Sequence, residues 1–145
     1  MLNINIKTIP HKEHRYPTLG DYWRNTDGKQ EMRISEMGND DYAFMIAIHE
    51  LIEWYLTEKR GIKEEDIKAF DELFEKERLR GLHAEKEEAG FDSRAPYLKE
   101  HAFATNIEKQ LAKELGVNWD KYDADIKALF TKLEASKDTK AGADI

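Results

Sequence analysis

The sequence predicts an α+β fold: a small N-terminal antiparallel sheet, made of a strand plus a hairpin, followed by about four helices. Residues 2–36 alternate polar and apolar side chains around a turn signal. From residue 40 onward the apolar residues recur at helical spacing instead. No internal repeat or linker interrupts the chain, so residues 1–135 read as a single domain.

Leu2, Ile4, Ile6 and Thr8 alternate with Asn3, Asn5 and Lys7, the pattern of a half-buried strand that ends at Pro10. A polar loop, 11–20, leads to the hairpin. Asp27-Gly28 is a favoured type I′ pair, and a two-residue loop there sets Trp23 opposite Met32 and Arg24 opposite Glu31. The first helix is expected over 40–60, capped by Asn39 or Asp40 and ended by Gly61. A second covers 64–79. Glu64, Glu65 and Asp66 suit its N-terminal dipole, and Ile67, Phe70, Leu73 and Phe74 form its stripe. The stretch 78–95 is charged, holds Gly81 and Gly90, and reads as a mobile loop with at most one helical turn. Pro96 suits the first position of a third helix that runs to Leu115 and stops at Gly116. Asn118 can cap a fourth, carrying Trp119, Tyr122, Ile126, Leu129, Phe130 and Leu133. Residues 136–145 lack periodicity and are expected as a flexible C-terminal tail.

Composition narrows the chemistry. The chain has 145 residues, 40% hydrophobic and 37% charged, enough for one core. The absence of cysteine excludes disulfides, thiolate metal sites and cysteine nucleophiles. A net charge of −7 argues against a nucleic-acid backbone as partner. No signal peptide and no apolar run of about 20 residues occur, so no membrane partner is expected and the chain reads as cytoplasmic. Substrate, protein partner and oligomeric state stay open at this level.

The segment 42–56, YAFMIAIHELIEWYL, is apolar around its whole circumference, as in a helix buried on most sides. Its ionisable residues are His49, Glu50 and Glu53. At 100° per residue, His49 and Glu53 lie about 40° apart and share a sector with Met45, Ile46, Ile52 and Leu56. Burying them without a counter-charge costs several kcal/mol, and the segment holds no Lys or Arg. A bound cation is one answer, because imidazole and carboxylate at i, i+4 can chelate one ion. The third helix repeats the pattern. His101 and Glu108 fall in its apolar sector with Tyr97, Ala104, Leu111 and Leu115, and Glu100 falls beside Ile107. His49, Glu53 and His101 are therefore the expected ligands of one divalent metal, zinc first. Glu100 and Glu108 are expected as second-shell or second-metal residues, since His101 and Glu108 lie about 10 Å apart along the axis.

His49-Glu50-Leu51-Ile52-Glu53 resembles the H-E-x-x-H helix of zincin metallopeptidases, with Glu53 in place of the second His. The resemblance implies a zinc-dependent hydrolase with Glu50 as catalytic general base. The whole chain also resembles a group of phage and bacterial proteins without assigned activity. Those share an I-x-T-I-P-H start, a hairpin, an HELIE helix, and an A-P-Y-x-x-E-H-x-F-A-T segment, here Ala95-Pro96-Tyr97 through Glu100-His101 to Thr105. That likeness implies one compact unit and no function.

Three alternatives stand beside the hydrolase. A non-catalytic phage accessory or assembly protein could use the His/Glu cluster to hold two helices together. His49 could also bond to Glu53 or Glu108 in a network without metal. A magnesium-dependent nucleotide pyrophosphohydrolase is suggested by similar spacing: Glu50-x-x-Glu53, then Glu72-x-x-Glu75. Inward histidines fit its all-oxygen shell poorly. No E-x-x-H spacing supports a di-iron bundle. His11 and His14, flanking Glu13, read as an exposed loop, and His83 as solvated. The runs 63–66 and 84–89 read as solvated faces, and the Trp54-Tyr55 pair as core.

Overall fold

The computed structural model describes residues 1–15 and 18–143, with side chains through Thr131. Three strands form one sheet: β1 (Ile4–Ile9), β2 (Gly20–Arg24) and β3 (Gln30–Ser35), in the order β1-β3-β2. Four helices follow: α1 (Asp40–Lys59), α2 (Glu64–Leu79), α3 (Leu98–Leu115) and α4 (Trp119–Ala143). The fold is α+β.

The expected antiparallel sheet is a mixed one. β2 and β3 form the antiparallel hairpin, but β1 lies parallel to β3, with Ile6 beside Met32 and Thr8 beside Ile34. The reason is the long connection after β1. It crosses the end of β3, where Glu36 N–H donates to the Ile9 carbonyl and Ser35 N–H to the Leu19 carbonyl. A strand position is skipped, so strands that alternate in direction along the chain leave β1 and β3 pointing the same way. The crossing also buries His14, expected in an exposed loop. Its Nε2 shares a 2.9 Å hydrogen bond with Ser35 Oγ.

The hairpin register differs from expectation by one residue. Trp23 pairs with Glu31 and Tyr22 with Met32. The turn is a three-residue loop, Thr26-Asp27-Gly28, closed by Gly28 N–H to the Asn25 carbonyl and Asn25 N–H to the Lys29 carbonyl. Asn25 Oδ1 accepts from both Asp27 N–H and Lys29 N–H, and Gly28 takes φ 79°. This is the type I turn with a left-handed glycine, the next commonest hairpin loop after the two-residue kind. A slip of one residue exchanges the faces. Met32 and Ile34 are buried and Ile34 packs on α1, while Trp23 lies on the other face under the guanidinium groups of Arg15 and Arg33.

The helix ends follow local chemistry. Asn39 Oδ1 accepts from Tyr42 N–H at the start of α1, and Asn118 Oδ1 accepts from Lys121 N–H at the start of α4. Gly116 ends α3 in the left-handed region at φ 70°. α3 begins at Leu98 with Tyr97 as its cap, two residues after Pro96. α4 continues as far as Ala143, through most of the expected tail, and residues 144–145 lie outside the described residues. The core falls into two clusters. One joins Ile34, Met45, Ile46, Ala47, Ala112 and Tyr122; the other joins Phe70, Phe74, Ala95 and Tyr97. α3 spans from the second to the first, and the residues between Tyr97 and Ala112 meet the middle of α1. Trp54 is buried as expected, but Tyr55 is 47% exposed. No helix among the described residues is long and apolar enough to cross a membrane.

Candidate metal centre

The apolar circumference of α1 buries it, and Ala104, fully buried and without bulk, lies on the face of α3 that meets it. The two helices run antiparallel: His49 meets Glu108, and Glu53, one turn on, meets His101. Three atoms converge between them. His101 Nδ1 lies 2.8 Å from Glu53 Oε2, His49 Nε2 lies 3.0 Å from the same oxygen, and the two nitrogens are 3.2 Å apart. The imidazole rings meet edge to face with centroids 4.7 Å apart.

The outer nitrogen of His49 fixes its tautomer. His49 Nδ1 lies 2.8 Å from Glu108 Oε1, and the Tyr122 hydroxyl donates to Glu108 Oε2. Burial, then the charge of Glu108, raises the Tyr122 pKa, so the phenol keeps its proton. With both oxygens of Glu108 accepting, a neutral His49 carries its proton on Nδ1 and turns the Nε2 lone pair inward. A carboxylate on the far nitrogen is the usual support of a metal-binding histidine. His101 is held more loosely. Its Nε2 is buried without a hydrogen bond among the described residues, and Glu88 Oε2 stands 3.6 Å away.

Protons on the rings can supply positive charge to this cluster. Burial disfavours the charged ring of His49, but hydrogen bonds to Glu108 and Glu53 outweigh it and hold the pKa well above the ordinary histidine value. Burial again opposes at His101, where Glu53 and Glu88 push the value up to about 9. Glu53 is drawn down to about 2 against its own burial, by hydrogen bonds from the same two rings. Among the described residues no lysine or arginine forms an ion pair with Glu53 or Glu108.

Glu50 points elsewhere. It packs against β2, where a Cβ on Gly20 would stand 2.9 Å from its Cγ. Among the described residues its carboxyl makes no hydrogen bond. Burial, then the charge of Glu53, pushes its pKa up to about 8, opposed by His49 and His101. Glu100, expected as a second-shell or second-metal residue, is buried against Arg60 instead, at 2.5 Å. The end of α1 delivers that guanidinium, which the apolar segment itself lacks. Glu108 supports His49 from its far side.

Among the described residues, His49, Glu53 and His101 are the only group of three or more His, Asp or Glu side chains with ligand atoms so close together. Glu72 is exposed and Glu75 pairs with Arg78 at 3.2 Å, so the four carboxylates of the magnesium arrangement do not form one group. His83, expected in solvent, is wedged between Glu77 and Glu87 and stacked on Phe74.

Three contributors escaped the sequence reading. Tyr122 sits in an apolar stripe, where the need of a buried phenol for a hydrogen-bond partner was the one available signal. Glu88 and Gly90 lie in the 78–95 stretch, whose composition marks no site. Compared with protein-family models, curated proteins and solved structures, the chain matches none.

Proposed function

We propose that this chain is a metal-dependent hydrolase in which His49 Nε2, Glu53 Oε2 and His101 Nδ1 hold one divalent cation. The observation that carries the reading is the triangle itself: three potential ligand atoms 2.8–3.2 Å apart on facing helices. Neighbouring ligands in a zinc tetrahedron with bonds of roughly 2.0–2.1 Å stand about 3.3 Å apart, so the spacing needs little adjustment. Two imidazoles and a carboxylate favour zinc over magnesium or calcium, which take oxygen shells. Three protein ligands also leave a coordination position open, the mark of catalytic rather than structural zinc. A zinc ion held there would polarise a substrate carbonyl and activate water.

Glu50 supports the catalytic half of the reading. It follows His49 directly and carries no cationic partner among the described residues, which leaves its carboxylate available as a base. A cytoplasmic setting accords with the lack of cysteine. The zinc arm is tested by metal analysis of protein purified without an affinity tag. One zinc per chain, lost in His49→Ala and His101→Ala, is the expected result. No retained metal and no thermal shift on adding zinc would overturn it. Glu50→Gln should keep zinc and fold while abolishing hydrolysis across a panel of peptide and ester substrates.

A second reading, a structural ion in a non-catalytic scaffold, is favoured by the closure of the site. His49 and Glu53 are both buried, at 8% and 7% exposure. Cobalt substitution separates the two. An open site changes its visible spectrum when a small anion is added, and a closed site does not.

A further inference from the structure

The segment between α2 and α3 does more than connect them. A short 3₁₀ turn, Ala89–Phe91, lies against α3, and Gly90 at its centre is buried. A Cβ added to Gly90 would stand 2.4 Å from His101 Cγ, 2.5 Å from Cδ2 and 2.6 Å from Nδ1. No carbon fits at those distances. Gly90 is not among the residues of positive φ, so the glycine is there for space rather than for backbone freedom. The ring of Phe91 meets the same imidazole edge to face at 4.7 Å, and Glu88 Oε2 faces its far nitrogen at 3.6 Å. Three successive features of one turn therefore enclose one histidine. The segment before it is tied down from α2, where the Arg78 guanidinium donates to the carbonyls of Ala84, Glu85 and Glu87.

We infer that Glu88 and Gly90 are positioning residues for His101: the Gly90 backbone closes on the ring, and the negative charge of Glu88, 3.6 Å from Nε2, favours the proton on that nitrogen so that Nδ1 faces Glu53. This rests on the zinc reading for its purpose but not for its geometry. His49 receives the same service from within the helices, through Glu108 and Tyr122. His101 has no such carboxylate on its own helix face, and the connecting segment provides one.

The test is a double-mutant cycle of Gly90→Ala and His101→Ala, with Glu88→Gln as a milder second variant. Thermal midpoints are read on chelator-treated protein, and zinc affinity is read by competition with a chromophoric chelator. Gly90→Ala should lower the midpoint clearly when His101 is present and scarcely when residue 101 has lost its ring. Glu88→Gln should keep the fold and weaken zinc binding by roughly 10- to 100-fold, as removal of an outer carboxylate does. Equal cost of Gly90→Ala in both backgrounds, or unchanged zinc affinity in Glu88→Gln, would overturn the inference. If the wild-type chain binds no zinc, the proposed function falls. The chelator-treated cycle, with the His101 ring proton shifts in NMR spectra, then decides the positioning role by itself.

Discussion

Two histidine–carboxylate clusters flank the segment between α2 and α3, and they are built on opposite principles. In the outer one, His83 lies 2.9 Å from Glu77 Oε1 and 2.9 Å from Glu87 Oε2. Arg94 joins it, with forked hydrogen bonds to Glu77 and to Asp92. Glu77 and Asp92 are each drawn down to about 2, chiefly by hydrogen bonds from Arg94. In the inner cluster two imidazoles converge on one oxygen of Glu53, and Arg60 is occupied by Glu100. Residue types are similar in the two. The guanidinium makes the difference: where it is present it satisfies the carboxylates, and where it is absent two buried imidazoles take its place. Burial sharpens the contrast, because the side chains of Glu53 and Glu108 are 9% and 7% exposed whereas that of Arg94 is 48% exposed.

The sharpest way to break this comparison is to remove the carboxylate at its centre. Glu53→Ala leaves two buried imidazoles facing each other and should cost about 3–5 kcal/mol, the usual result of deleting one member of a buried pair. Urea denaturation would measure it, and metal analysis should show zinc lost in the same variant. A cost no larger than that of an exposed carboxylate would mean that the inner cluster is no tighter than the outer. Tyr122→Phe is the next largest. It keeps the ring but leaves Glu108 Oε2 without its donor, for about 1–3 kcal/mol, and it should loosen zinc binding through His49.

The outer cluster should respond weakly to mutation and visibly to acid. Glu77 and Asp92 have folded values below their unfolded ones. Their contribution is therefore present above the ordinary carboxylate range and is lost as pH falls from about 4.5 toward 2. Arg94→Ala should lower the urea midpoint only slightly at pH 7, because exposed ion pairs are screened. It should also flatten the fall between pH 5 and pH 3, and added salt should mimic the substitution. A steep acid transition persisting in Arg94→Ala would place the source elsewhere.

The helices were legible because their signals are local. The stripe of Ile67, Phe70, Leu73 and Phe74 and the first-turn acids set α2 at Glu64–Leu79, the range expected from sequence. Asn39, Asn118 and Gly116 act within four residues of themselves. The inward direction of His49, Glu53, His101 and Glu108 was equally legible, since one turn of helix sets which side chains share a face. The hairpin was half legible. Asp27-Gly28 located the turn, but the Asn25 side chain, accepting from two backbone amides, selected a three-residue loop and moved the register by one.

Taken alone, the sequence determined the helices and strands, the caps at Asn39, Asn118 and Gly116, and the fact that two helices carry histidine and carboxylate on apolar faces. All of these rest on dihedral preference, capping and periodicity within a few residues. The tertiary structure decided the strand order and the parallel pairing of β1, because the path over the end of β3 depends on a loop with no propensity of its own. It also decided the counter-charges. Arg94 reaches Glu77 across 17 residues, Arg60 reaches Glu100 across 40, and Tyr122 reaches Glu108 across 14. No local rule encodes which cation or donor arrives at which carboxylate. That arrival is what separates the outer salt-bridge network from the inner triangle of His49, Glu53 and His101.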